Sequence, residues 1–157
     1  VKPTRFYLDS SIWNLAVADD VPDYREATEE FFDHVRTFGW EVLISQVVFN
    51  EIEQTSEPKR DRMKKSIETV SPKRTPTTEA ALFLAREYID AGVLTERHRN
   101  DCLHVALATV AECDFLLSWN FRHLANIRRA ARFLAVNTLH GYTQELRICN
   151  PLEVYEI

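Results

Sequence analysis

Three carboxylates and one amide stand where this chain can gather them. Asp9 follows the apolar run from Arg5 to Leu8, and Asn120 follows the run from Phe115 to Trp119 at once. Asp101 opens a long apolar segment, and Glu51 lies seven residues beyond Ile44, between Phe49 and Ile52. A carboxylate in such a setting needs a partner or carries a heavy desolvation penalty. Apart from Arg5 near Asp9 and Arg97 near Asp101, no Lys or Arg lies within four residues of these acids on the matching helix face. Carboxylates that converge with so few cations need a divalent ion to hold them ionised. An oxygen-only ligand set selects Mg²⁺ or Mn²⁺ over Zn²⁺. Each residue also has a plainer reading: Asp9 as a helix N-cap, Asp101 as a favourable charge at a helix start, Glu51 as a solvent-facing acid, Asn120 as a turn residue. Spacing alone leaves both readings open.

The elements that must position these residues follow from the hydrophobic pattern. Arg5 to Leu8 and Glu41 to Ile44 read as short buried strands, with further strands at Phe115 to Trp119 and Leu146 to Cys149. Asp9-Ser10-Ser11 is a helix-start signal, and Ser45 can cap the helix that carries Val47, Val48, Glu51 and Ile52. Asp23 to Phe38 has apolar residues at three-and-four spacing and ends at Gly39. Further helices are predicted over Lys59 to Val70, Thr77 to Ala91 and Asn126 to His140. Asp101 to Glu112 is apolar almost all round, which marks a centrally buried helix. Strands alternating with helices imply an α/β domain with a central parallel sheet of four to five strands and helices on both faces. In such a sheet the functional edge lies at the carboxyl ends of the strands, where Asp9 and Asn120 fall.

Composition narrows the classes. The 157 residues are 45% hydrophobic and 27% charged, with net charge −5, so there is no general pull toward nucleic acid. Charge is uneven, with an acidic stretch from Asp19 to Asp33 and a basic arm from Lys59 to Arg74 that can face solvent or grip phosphates. Cys102, Cys113 and Cys149 read as reduced buried thiols of a cytoplasmic protein. No run is long and apolar enough for a membrane span, and no leader pattern opens the sequence. With three glycines the chain lacks GxGxxG, a Walker loop and GxSxG, which excludes dinucleotide binding, P-loop hydrolysis and the α/β-hydrolases. A receiver domain would need a late lysine, and none follows Lys73.

The ordered strings FYLDSSIWNLA, LISQVVFNEIE, RNDCLHVALATVAECDFLLSWNFRHLAN and ICNPLEV resemble the PIN-domain family, which includes the VapC-type toxin ribonucleases. The resemblance spans nearly the full length and implies one PIN-like domain over residues 1–157. It implies a Mg²⁺- or Mn²⁺-dependent endoribonuclease that acts on RNA, forms a homodimer and is blocked by a small antitoxin. Asp9, Glu51 and Asp101 match the family's acids, and Asn120 stands where a fourth acid usually occurs. In that reading Asp9 anchors the metal, Asp101 binds it directly, Glu51 ligates through water or orients the attacking hydroxide, and Asn120 ligates weakly. Ser10, Ser118 and Arg122 are candidate substrate contacts, while His104 is better placed as a core or supporting residue than as a base. Arg128, Arg129 and Arg132 can add phosphate contacts, and Trp13 and Trp119 suit core packing better than base stacking. The departure at Asn120 keeps an alternative in play: a catalytically silent PIN-fold module that binds a protein or RNA partner.

Overall fold

The centre of the sheet falls to the segment with least exposed surface. Phe6, Tyr7 and Leu8 are inaccessible to solvent, and Arg5–Leu8 forms β1 of a computed structural model that describes residues 2–156. Around it lie β2 (Glu41–Ile44), β3 (Lys73–Arg74), β4 (Phe115–Leu117) and β5 (Arg147–Cys149). The order is β3-β2-β1-β4-β5 and every pairing is parallel, with Tyr7 opposite Leu43 on one side and Leu116 on the other. Parallel pairing requires crossovers, and these are α1 (Ser10–Leu15), α2 (Pro22–Phe38), α3 (Gln46–Ile52), α4 (Lys59–Val70), α5 (Glu79–Asp90), α6 (Arg99–Val110) and α7 (Ile127–Leu139). A 3-10 turn, Glu96–His98, leads into α6.

Side chains alternate across the strands, so two cores form. Tyr7, Leu43 and Leu116 join Leu84, Tyr88, Val105 and Phe133 beneath α5, α6 and α7. Phe6, Leu8 and Ile44 join Ile12, Trp13, Phe31 and Met63 on the opposite face. The chain is therefore an α/β protein with a five-stranded parallel sheet covered on both faces. Helix α6 buries Cys102 and every residue from His104 to Thr109, as its all-round apolar pattern requires. Gly39 ends α2 at φ 65°, a left-handed conformation that only glycine adopts without strain.

Two local expectations need correction, the end of the strand from Phe115 and the cap at Ser45, and two open points, the fifth strand and the basic arm, are settled. The strand β3 carries two exposed basic residues and no apolar signal, so the pattern could not reveal it. The strand starting at Phe115 stops at Leu117, which leaves Ser118 and Trp119 in the turn above the sheet edge. Ser45 occupies the N-cap of α3 without capping it, because its hydroxyl bonds the Tyr7 hydroxyl at 2.7 Å. The basic arm is largely committed: Arg60, Arg62, Lys64, Lys65 and Lys73 meet Glu57, Asp19, Glu53, Asp61 and Glu41. Arg74 lies over the Phe49 ring at 4.4 Å. Lys59 is held by the Asn14 side chain at 2.7 Å. Among the described residues no helix is long and apolar enough to cross a membrane.

Candidate metal centre

The first strand hands its last backbone bond to the site. Asp9 lies just past β1, its N–H donates to Leu117 O, and its side chain caps α1 by accepting from the Ser11 N–H at 3.0 Å. Ser11 Oγ also donates to Oδ1, and Ser118 Oγ donates to Oδ2 at 2.5 Å. Asp9 is 4% exposed, and burial pushes its carboxyl up despite the His104 charge and the two serine hydroxyls. A carboxylate offers about four acceptor positions. Three are taken by serines, which leaves one on Oδ2.

Glu51 reaches the same place from α3, and its partner is His104, which the sequence marks as a supporting residue without showing what it supports. Its Oε1 accepts from Ser10 Oγ at 2.6 Å and bonds His104 Nε2 at 2.6 Å. The other nitrogen of His104 bonds the Tyr7 hydroxyl at 2.7 Å, which leads on to Ser45. Burial works against the Glu51 charge, but His104, Ser10 and Asn100 together outweigh it and hold the carboxyl below its usual value. Burial likewise opposes the imidazolium of His104, yet the bond and charge of Glu51 with the charges of Asp9 and Asp101 hold its pKa up. The absence of nearby Lys or Arg does not leave these acids without a cation, because a buried imidazole supplies one. His104 lies three residues after Asp101 on one face of α6, a spacing that was legible.

Asp101 sits in the first turn of α6 and is the least supported acid. Burial first, then the charges of Asp9 and Glu51, raise its carboxyl to about 6 against the lowering charges of His104 and His98. The three acids therefore feel one another and one histidine, although they come from three separate elements. Their ligand atoms do not close as tightly as another trio: among the described residues, one nitrogen each of His98 and His123 and one oxygen of Asp101 lie within 4.8 Å of each other. His123, in the loop after β4, was not singled out as a ligand because nothing in the sequence puts that loop beside the start of α6.

A cleft of about 350 Å³ at this edge is lined by Ser10, Asn14, Glu51, Met63, Trp119 and Asn120. A larger hollow, about 570 Å³, lies at the opposite edge around Arg5 and Asp114. Asp114 Oδ2 there accepts from the Arg5 backbone N–H, so chemistry favours the smaller cleft. Asn120 lines the cleft, but its Oδ1 already accepts the His123 N–H at 2.9 Å. Ser118 is fully buried and its hydroxyl serves Asp9, so it cannot touch substrate as expected. Ser10 is half-buried at the cleft and donates to Glu51, while Arg122 is exposed. Arg129 and Arg132 bond the carbonyls of Val93 and Gly92 beyond the end of α5, which removes them from phosphate duty. Trp13 stacks on Phe32 and Trp119 on Tyr24, as core residues. The three cysteines are buried, and burial pushes each thiol up to about 12, so they are inert.

No family model matches the chain, and no curated protein matches it. Among solved structures it is similar to the crystal structure of VapBC2 from Rickettsia felis bound to a DNA fragment from their promoter. The TM-score is 0.57 at 15% identity, over 92% of this chain and 97% of that one. The shared property is the fold.

Proposed function

We propose that the chain is a PIN-type, divalent-metal-dependent endoribonuclease, the toxin of a toxin–antitoxin pair acting in the cytoplasm as a homodimer. The observation that carries this reading is the convergence of Asp9, Glu51 and Asp101 at the carboxyl edge of the sheet, where burial and mutual charge raise Asp101 to about 6. Acids held against their own repulsion fit a cation, and the remaining position on Asp9 Oδ2 with Glu51 Oε2 and the Asp101 carboxylate offers the hard oxygens that Mg²⁺ or Mn²⁺ takes. When bound, such an ion supplies charge neutralisation at a phosphodiester and a water acidified toward neutral pH.

The protein's own groups do the rest. Ser11 and Ser118 fix the Asp9 carboxylate on three of its positions, which leaves it one direction in which to ligate. Ser10 and His104 hold Glu51 at the cleft and keep it ionised, so it can orient or deprotonate a water. Arg97 and Arg99 bound a cavity with Glu51 and Asp101 and have no carboxylate partner among the described residues, so they suit contact with RNA phosphates, and the exposed Arg122 is a further candidate. The similar solved structure is a VapBC2 complex bound to promoter DNA, which supports a small antitoxin as the partner here.

The test is cleavage of single-stranded RNA by purified protein with Mg²⁺ or Mn²⁺. EDTA and Asp9→Asn should each stop it. Cleavage that survives EDTA, or that Asp9→Asn leaves at the parent rate, sinks the reading. One observation favours a second reading, a silent PIN-fold module: Asn120 replaces an acid and spends its Oδ1 on the loop. RNA or protein binding without cleavage under any divalent ion would establish that alternative.

A further inference from the structure

His98, Asp101 and His123 converge without any part in the scheme above, apart from Asp101. His98 and Asp101 are three residues apart across the start of α6, with Nδ1 and Oδ2 separated by 3.9 Å. His123 arrives from the loop after β4, and its ring stacks on that of His98 at 3.9 Å between centroids and 31°. That loop is pinned by Asn120, whose side chain accepts the His123 N–H and whose carbonyl accepts from Leu124. All three side chains are half-buried. His123 Nδ1 is shielded from solvent and has no hydrogen-bond partner among the described residues. A buried polar atom left unpaired in a loop this well anchored calls for a ligand.

We propose that His98, Asp101 and His123 form a second metal site, of the two-histidine, one-carboxylate kind, that takes a late transition-metal dication such as Zn²⁺. The donor chemistry decides the metal: imidazole nitrogens suit Zn²⁺ and its neighbours, whereas Mg²⁺ prefers oxygen alone. Bonds of about 2.0–2.1 Å in a tetrahedral site put donors about 3.3 Å apart, so the 3.9 Å between His98 and Asp101 must close by about half an ångström. The other pairs, within 4.8 Å, must close by up to about 1.5 Å, with the facing imidazoles turning until their nitrogens converge. Half-exposed side chains make such adjustments by rotation. A cavity of about 380 Å³ bounded by Glu51, Arg97, His98, Asn100 and Asp101 gives an ion and its remaining water access from solvent. Arg122 and Arg129 place positive charge near His123, which opposes a dication there, so the bonds to two imidazoles and the Asp101 charge must outweigh it.

Asp101 belongs to both sites. A zinc ion held by the two histidines draws that carboxylate away from Asp9 and Glu51, so zinc should oppose the Mg²⁺- or Mn²⁺-supported reaction. This consequence rests on the nuclease reading; the site itself does not.

The experiment titrates the metal-free full chain with Co²⁺ in the absence of RNA and reads its visible ligand-field bands, with Zn²⁺ displacement as confirmation. The parent should give an intense four-coordinate spectrum and a Zn²⁺-dependent rise in melting temperature. His98→Ala and His123→Ala should each weaken both by at least tenfold, a scale that loss of even an outer partner can reach. Glu51→Gln should leave the spectrum in place. An unchanged spectrum in both histidine variants, or one lost only in Glu51→Gln, overturns the site and moves the ion to the acid cluster. If RNA is cleaved, Zn²⁺ should inhibit the parent at least tenfold more strongly than His123→Ala. Equal inhibition removes the competition for Asp101 while the Co²⁺ result still stands by itself, and a protein that cuts nothing fails the nuclease reading alone.

Discussion

The two sides of Asp101 are built differently. On the inner side, Asp9 and Glu51 are held by Ser11, Ser118, Ser10 and His104, and His104 is itself tied to Tyr7 and Ser45. On the outer side, His98 and His123 meet ring against ring, and one buried nitrogen is left without a partner among the described residues. The inner network is a set of satisfied hydrogen bonds around charges that burial alone would suppress. The outer cluster is a set of donors still short of an acceptor. A site can thus be fixed in advance by its neighbours or left for its ligand to complete, and this fold edge contains one of each. Asp101, raised to about 6, is the acid that neither side fully supports.

The largest effect that can break this contrast is on catalysis. Asp9→Asn keeps the shape of the side chain and removes its charge from the most rigid position of the inner network. Loss of one preorganised charge of this kind costs about 10²–10³-fold in rate, and RNA cleavage at saturating Mn²⁺ measures it. A variant as fast as the parent would mean that the serines around Asp9 hold only a helix cap.

Stability separates the two sides next. His104 is 1% exposed and bridges Tyr7 to Glu51. His104→Ala opens a cavity and strips partners from both, so about 3 kcal/mol should be lost in denaturant unfolding. His98→Ala and His123→Ala should each change stability by less than about 1 kcal/mol in the metal-free protein, because half-exposed groups lacking strong bonds contribute little. Equal losses on both sides would erase the distinction.

A smaller effect appears in pH dependence without metal. Asp101 has its folded pKa raised, so the stability it contributes is present below its unfolded value near 3.8 and lost as pH rises through about 6. His104, also raised, contributes below its unfolded value of 6.5, and that part is lost as pH rises through its higher folded value. Glu51 runs the other way, contributing above 4.5 and losing that contribution as pH falls through its lowered folded value. Asp9, likewise raised by burial, adds a fall of the same sign, so the distinctive signal is the part that Asp101→Asn removes, about 2 kcal/mol between pH 4 and 6. Melting curves in EDTA across that range decide it. Should the variant keep the slope, Asp101 is not the strained acid.

How much of this was legible depends on range. The buried strand at Arg5–Leu8 and the helix Arg99–Val110 announce themselves, because each writes its burial into a local run of apolar residues. The two-residue strand Lys73–Arg74 writes nothing, since both side chains are exposed and only the backbone pairs with Leu43 and Ile44. Asp9, Glu51 and Asp101 could be named from their places at element ends, and the structure brings them to one edge. Their partners could not be named as readily. Ser118 looked like a rim residue because its burial depends on the strand ending at Leu117. His98 and Asp101 share a helix face by spacing, but His123 joins them only through a turn whose path is set by Asn120. Local periodicity carries the scaffold; convergence across elements has no one-dimensional trace.

Asn120 stands between the two sides, and the smallest predicted effect belongs to it. It lines the cleft beside Glu51 while its Oδ1 anchors the loop that bears His123. Asn120→Asp retains an oxygen for the His123 N–H and adds a charge at the cleft. The Co²⁺ spectrum should then survive, and Mn²⁺ affinity should rise by about 1 kcal/mol, the scale of an added charge several ångströms away in a partly solvated site. Asn120→Ala removes the acceptor instead. It should cost about 1 kcal/mol of stability, as loss of a side-chain cap does, and should weaken Co²⁺ binding without a comparable change for Mn²⁺. Calorimetric titration of both variants with both ions gives four numbers, of which two should move in opposite directions and two should stay near the parent. If Asp and Ala shift Mn²⁺ and Co²⁺ together, the inner and outer sides are one site, and the loop after β4 is part of it rather than its neighbour.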